Sequence, residues 1–153
     1  LPWAGTYPQD PLPCAVGLKQ LEIVLRDDLT GHAEREGVFI GERLGQIQAR
    51  HDCIGDVRGK GLYRMLDIVK DRASKEPDAQ MAERIRYHAL AEGLLLIAVK
   101  NYVRFCPPTI VTRAELDDIL GRLEAAITHA EEGGPIATDI AASSSLATNS
   151  AVR

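Results

Sequence analysis

Arg104 is the residue best placed by its type and setting to do chemistry. It lies in a short apolar run, Val103-Arg104-Phe105-Cys106, just before Pro107-Pro108. A guanidinium there can hold a carboxylate through two parallel hydrogen bonds. It can equally be an arginine on the wet face of an edge strand, because strand faces alternate. Thr6 and Asp10 flank a helix start, which is either an anion site or a simple cap. GDVRGKG, residues 55–61, carries glycines in the manner of a phosphate loop. It has neither the required spacing nor a helix opening after it, so a tight bend explains the glycines better. His32, His51, His88 and His129 show no metal-ligand spacing. His51-Asp52-Cys53 has the residue types of a nucleophile group, but chain neighbours rarely converge on one point. Helix-end and loop roles are expected for His51 and Asp52. Cys53 and Cys106 sit beside strand-like runs and read as small core residues.

These residues need elements to position them. Residues 1–10 read as an irregular lead-in. Asp10-Pro11 then opens a helix, since Asp caps free N–H groups and Pro suits the first turn. Leu18, Leu21, Val24 and Leu25 follow at helical spacing, and the helix should stop near Asp27 or Asp28. A second helix from Thr30 puts Ala33, Ile40, Leu44 and Ile47 on one face. Gly37, Gly41 and Gly45 weaken it and point to close packing against another backbone. Residues 53–69 read as two short strands about a Gly-rich bend, the second covering Leu62 to Val69. Residues 70–77 are a charged connection. Asp78 caps a helix bearing Met81, Ile85, Ala89 and Leu90, and Gly93 ends it. LLLIAV, 94–99, reads as a buried strand, Lys100-Asn101 as a turn and 102–106 as another strand. Thr112-Arg113-Ala114-Glu115 is a capping box before an apolar stripe of Leu116, Ile119, Leu120, Leu123, Ala126 and Ile127. The Gly, Ala, Ser and Thr beyond Glu132 predict a disordered tail over 131–153. The expected fold is α+β: a small, mainly antiparallel sheet covered by helices, spanning 11–130.

Bulk properties bound the function. A chain of 153 residues suits one domain. Its 45% hydrophobic and 26% charged content is that of a soluble globular protein. A net charge of -4 without a basic patch argues against nucleic acid as a partner. Cys14, Cys53 and Cys106 are odd in number with no CxxC pair, so neither a disulfide framework nor a zinc site is expected. A reducing, cytoplasmic setting fits. LPWAGTYPQD has no basic run and no long apolar stretch, so neither a signal peptide nor a membrane partner is expected. A start at Leu1 suggests a fragment or a processed piece.

Four stretches then act together. TYPQDPLPCAVGL (6–18), HDCIGDVRGKGL (51–62), DIVKDRASKEPDA (67–79) and VRFCPPTIVTRAELD (103–117) keep their order and rough spacing. In this set the chain resembles the C-terminal small domain of class III pyridoxal-phosphate (PLP) aminotransferases, fold-type I, closest to 2,2-dialkylglycine decarboxylase. The resemblance implies that Arg104 binds the substrate carboxylate. It implies that Thr6 reaches the cofactor phosphate of the neighbouring subunit in a homodimer. It places an alkali-metal ion at Thr6 and Pro8, through backbone carbonyls, and at Asp10, through its carboxylate; oxygen ligands suit such a hard ion. It implies an amino acid and a 2-oxo acid such as pyruvate as substrates.

Departures from the family pattern accompany the match. The Schiff-base lysine should lie upstream of Thr6, so the N-terminal PLP domain or a complementary chain is an implied partner. Lys19, Lys60, Lys70, Lys75 and Lys100 lack its context. Arg64 and Met65 stand where the family usually has small residues. The loop before Arg104 looks about five residues shorter than in the decarboxylase. Two other expectations stay open: an ordinary class III omega-aminotransferase, and a non-catalytic truncated remnant or interaction module.

Overall fold

The computed structural model describes residues 10–133. The 1–9 segment and the tail from 134 on lie outside the described residues. The element order is α1 (Pro11–Arg26), α2 (Leu29–Arg50), β1 (Ile54–Lys60), β2 (Tyr63–Asp71), β3 (Glu76–Pro77), α3 (Ala79–Ala91), β4 (Ile97–Val99), β5 (Tyr102–Phe105) and α4 (Arg113–Glu131). This is the expected α+β arrangement.

The helices start where side chains satisfy their first free N–H groups. Asp10 accepts from Leu12 N, with Pro11 in the first turn, and opens α1. Asp28 accepts from Gly31 N and opens α2 at Leu29, one residue before the expected start. Asp78 accepts from Met81 N and opens α3. Thr112 and Glu115 form a complete capping box on α4. Gly93, at φ 78°, ends the α3 segment in the left-handed region that glycine occupies without strain.

The strands form an antiparallel sheet in the order β1-β2-β5-β4, with β3 paired to β2. Side chains alternate along each strand. Leu66, Ile68, Val103 and Phe105 turn to the helices and are almost wholly buried. There they meet Ile40, Leu44 and Ile47 of α2, Ala82, Ile85 and Ala89 of α3, and Leu116, Leu120, Leu123 and Ile127 of α4. Arg58, Met65, Asp67, Tyr102 and Arg104 take the opposite face, which no described element covers.

Several sequence expectations need correction. LLLIAV is not a buried strand: only Ile97–Val99 pairs, at the sheet edge, and Leu95, Ile97 and Val99 are exposed. The charged connection carries strand at both of its ends. β2 runs on to Asp71, and Glu76–Pro77 pairs with it, a position a proline tolerates because it needs no ladder donor there. Cys106 is exposed rather than core, while Cys53 is buried as expected. Leu90 is exposed. Of the three α2 glycines, Gly37 abuts the backbone of Gly61 and Gly41 abuts the Arg64 side chain, but Gly45 has open space beside it.

Candidate functional site

Arg104 owes its position to strand alternation. Its neighbours Val103 and Phe105 are core residues, so its side chain leaves on the open face. There it is flanked by Met65 of β2 and Ile97 of β4 as direct register partners. Among the described residues its guanidinium has no hydrogen-bond or ion-pair partner. A cavity of about 240 Å³ at this end of β5 is lined by Leu95, Ile97, Arg104, Cys106, Pro107 and Ile119 among others.

The same face carries a second guanidinium whose charge is already answered. Arg58 donates to the Asp67 carboxylate, lies 3.6 Å from Asp56 and stacks 5.6 Å from the Tyr102 ring centre. The hydrogen bond to Asp67 holds the Arg58 guanidinium above its ordinary pKa. Arg104 is therefore the free positive group on that row.

Arg64, adjacent in sequence to Met65, goes the other way. Its Nε donates to Gly61 O (3.1 Å), Nη1 to Gly59 O (3.1 Å) and Nη2 to Gly37 O (2.6 Å). Three backbone carbonyls so tie α2 to the β1–β2 turn. Sequence reasoning missed this staple; the signal available was an arginine beside a turn rich in glycine.

The other candidates resolve into structural roles. GDVRGKG forms the β1–β2 hairpin, with Gly59 at φ 128° and Gly61 at φ 54°, so the bend explains its glycines. His51 caps the end of α2, and its Nδ1 donates to Glu131 Oε2 at 2.7 Å. The same carboxylate also acts on the buried Cys53 thiol. Burial first, and then Glu131, push the Cys53 thiol far above its ordinary pKa. A thiol in that setting is inert, so the cluster fastens the end of α4 rather than attacking a substrate. Asp52 is fully exposed, 3.7 Å from Arg72. His32 Nε2 meets Val111 O at 2.8 Å, and His129 lies 3.7 Å from Glu92.

The expected ion and phosphate contacts are only partly in view. Asp10 caps α1 through Oδ1, 3.1 Å from Leu12 N, and is exposed. Thr6 and Pro8 lie outside the described residues. Among the described residues no group of three or more His, Cys, Asp or Glu could hold a metal ion, and no helix is long and apolar enough to cross a membrane. Lys19, Lys60, Lys70, Lys75 and Lys100 are all exposed. A lysine that carries a carbonyl cofactor needs a lowered pKa. Glu76 instead holds Lys70 above its ordinary value.

Comparison with known proteins agrees with this fold. Residues 2–127 match the family Aminotransferase class-III. Isoleucine 2-epimerase of Lentilactobacillus buchneri is 35% identical over 125 residues, which is 81% of this chain and 28% of that protein. Leucine/methionine racemase of Thermococcus litoralis is 36% identical over 131 residues, 85% of this chain and 30% of that protein. A PLP-bound aminotransferase mutant from Vibrio fluvialis superposes with a TM-score of 0.79 at 31% identity, over 88% of this chain and 30% of that one. The chain thus spans less than a third of the length of these relatives. The PLP-bound neighbour supports PLP as the cofactor of the complete enzymes it resembles. Family match, fold and sequence identity agree: the chain belongs to the class III aminotransferases.

Proposed function

We propose that this chain is the C-terminal, carboxylate-recognising portion of a PLP-dependent enzyme that moves an amino group between an amino acid and a 2-oxo acid such as pyruvate. The observation that carries the proposal is Arg104. It is a half-buried guanidinium without a partner among the described residues, on a face no described element covers, in one row with an arginine two strands away that is already paired. Two relatives support the carboxylate-recognising part of this reading by name, an isoleucine epimerase and a leucine/methionine racemase, since both names denote amino acids with an α-carboxylate.

When bound, PLP supplies an electron sink for bonds broken at the α-carbon. What this chain supplies is orientation. Two parallel hydrogen bonds from Arg104 would fix a carboxylate in a plane, and so fix which α-carbon bond faces the cofactor. Because Asp67 occupies Arg58, that guanidinium does not compete for the same anion. The lysine that would carry PLP belongs to sequence upstream of Thr6 or to a complementary chain. In the same proposal Thr6 reaches the cofactor phosphate across a homodimer of a cytoplasmic enzyme.

Decarboxylation-dependent transamination, as in 2,2-dialkylglycine decarboxylase, is a narrower version. It rests on the likeness of residues 6–18, with an alkali-metal ion held by Thr6, Pro8 and Asp10. The test is Arg104→Lys in the complete enzyme. KM for the amino acid and for the 2-oxo acid should both rise about tenfold or more, as expected when a two-pronged charged hydrogen bond is lost. Cofactor absorbance should stay unchanged. Unaltered KM values for both substrates would remove Arg104 from the site.

A further inference from the structure

The chain between β5 and α4 walls the Arg104 cavity. Pro107 and Pro108 line that space of about 240 Å³ together with Arg104. Cys106 and Pro107 also line a larger hollow, of about 770 Å³, between α2 and the β1–β2 hairpin. Thr109 borders that hollow and a third one against α1. The segment is thus a partition with open space on several sides. Pro108, Thr109 and Ile110 are exposed, and Val111 is its buried end.

The backbone of this partition has few means of tying itself down. Two prolines fix φ but donate no N–H. Anchorage therefore runs through carbonyls. Val111 N donates to Pro108 O at 3.1 Å, which closes the turn on itself. Val111 O in turn accepts from His32 Nε2 of α2 at 2.8 Å. A carbonyl only accepts, so His32 carries a proton on Nε2. Among the described residues this is the one side-chain hydrogen bond to residues 107–111. One turn further along α2, Glu36 accepts from Arg113 at 2.7 Å, and Arg113 stacks 3.9 Å from the Phe39 ring centre. That ion pair fixes the start of α4, whereas His32 fixes the loop that precedes it.

We propose that His32 is a positioning residue for the carboxylate site. Through Val111 and Pro108 it holds the proline wall in place beside Arg104, so a carboxylate on the guanidinium meets a fixed surface. It acts through the loop and not on the substrate. The inference rests on Arg104 being the carboxylate clamp.

The test compares His32→Leu and His32→Gln in the complete enzyme, with Arg104→Lys alongside. Leucine fills space without a donor, while glutamine carries its amide N–H about as far out as Nε2. His32→Leu should raise KM for the amino acid and for the 2-oxo acid by about fivefold, the worth of one ordinary net hydrogen bond, with kcat nearly unchanged. Exchange of the Val111 amide should quicken, because its bond to Pro108 O loses support. His32→Gln should return both readouts toward the unaltered values. Should His32→Leu not fold, His32→Asn, whose shorter amide falls short of Val111 O, takes its place. Equal KM losses in the leucine and glutamine variants would reduce His32 to packing and overturn the inference. Unchanged KM in His32→Leu, with a raised KM in Arg104→Lys, would show that the clamp works without His32. Unchanged KM in Arg104→Lys would remove the clamp itself, and this inference with it.

Discussion

The same substitution at two positions of α2 should change stability in opposite directions. Gly45 is exposed in mid-helix, and a Cβ there would meet nothing within 4 Å. Gly45→Ala should therefore gain the ordinary helix-propensity difference, about 0.8 kcal/mol. Gly37 is buried, and a Cβ there would stand 2.5 Å from Gly61 Cα and 2.8 Å from Gly61 O. Those atoms are backbone and cannot rotate away. Either α2 moves off the hairpin or the turn distorts, and Gly61 already holds φ 54° in the left-handed region. The same displacement would lengthen the bond from Arg64 Nη2 to Gly37 O, now 2.6 Å. Overpacking of this kind costs about 3 kcal/mol at the upper end of its usual range, and the propensity gain returns about 1, leaving a net loss of about 2 kcal/mol. With a urea slope of about 1.5 kcal/mol per M, Gly37→Ala should lower the denaturation midpoint by about 1.3 M. Gly45→Ala should raise it by about 0.5 M on the same slope. Circular dichroism under urea measures both. Midpoints that move in the same direction would refute the close approach of α2 to the hairpin.

Three further outcomes follow from the geometry. In the native chain a thiol reagent should modify Cys14 and Cys106 rapidly and Cys53 only on unfolding, because Cys53 is buried with its thiol pushed up by burial and by Glu131; equal rates at all three would contradict the packing. The exposed stripe of Leu18, Leu21 and Leu25 on α1 should make the isolated chain self-associate, and Leu21→Lys with Leu25→Lys should shift sedimentation toward monomer; a sharp monomer before mutation would show that the stripe does not drive association. Two carboxyls sit below the usual range: the Arg113 hydrogen bond lowers Glu36, while at Glu131 the bonds from His51 and Cys53 outweigh a burial effect that acts upward. Their stabilisation is complete above the unfolded carboxylate value of about 4.3 and fades as pH falls through the folded values, so midpoints should drop on acidification and drop less in a Glu36→Gln, Glu131→Gln variant.

The helices were legible because each start is chemical. Asp10 with Pro11, Asp78, and the Thr112–Glu115 box each satisfy free N–H groups with their own side chains, and those residues are visible in sequence. The hairpin was legible for a similar reason, since Gly59 and Gly61 supply positive φ where the chain must turn. The failures came where environment decides. An apolar run such as LLLIAV does not say which of its residues will be covered, and here Leu95, Ile97 and Val99 remain exposed at the sheet edge. Arg64 stood out only as a departure from the small residues usual in the family, because its partners are backbone carbonyls of Gly37, Gly59 and Gly61, which no side-chain pattern announces. Arg104 was legible as a residue of interest, yet its two sequence readings differ only in whether something in register competes for it, and register is a tertiary fact.

The distribution of satisfied and unsatisfied groups bears on what kind of piece this is. On the helix side most demands are met within the described chain, although Arg43 Nε of α2 is buried without a hydrogen bond. Glu36 pairs with Arg113 at 2.7 Å, His51 with Glu131 at 2.7 Å, and Arg64 with three carbonyls. On the other side of the sheet Arg104 has no partner, one oxygen of Asp67 is buried without a hydrogen bond, and Ile97 and Val99 face outward. Buried or half-buried polar groups normally find partners, so the unmet groups on the open face are consistent with a ligand received there. A carboxylate answers Arg104 alone. The exposed apolar residues around it suit a protein surface as well, and in the proposed enzyme that surface would come from the part of the relatives' length that this chain does not span. The proposed carboxylate site would need that surface to close over its ligand.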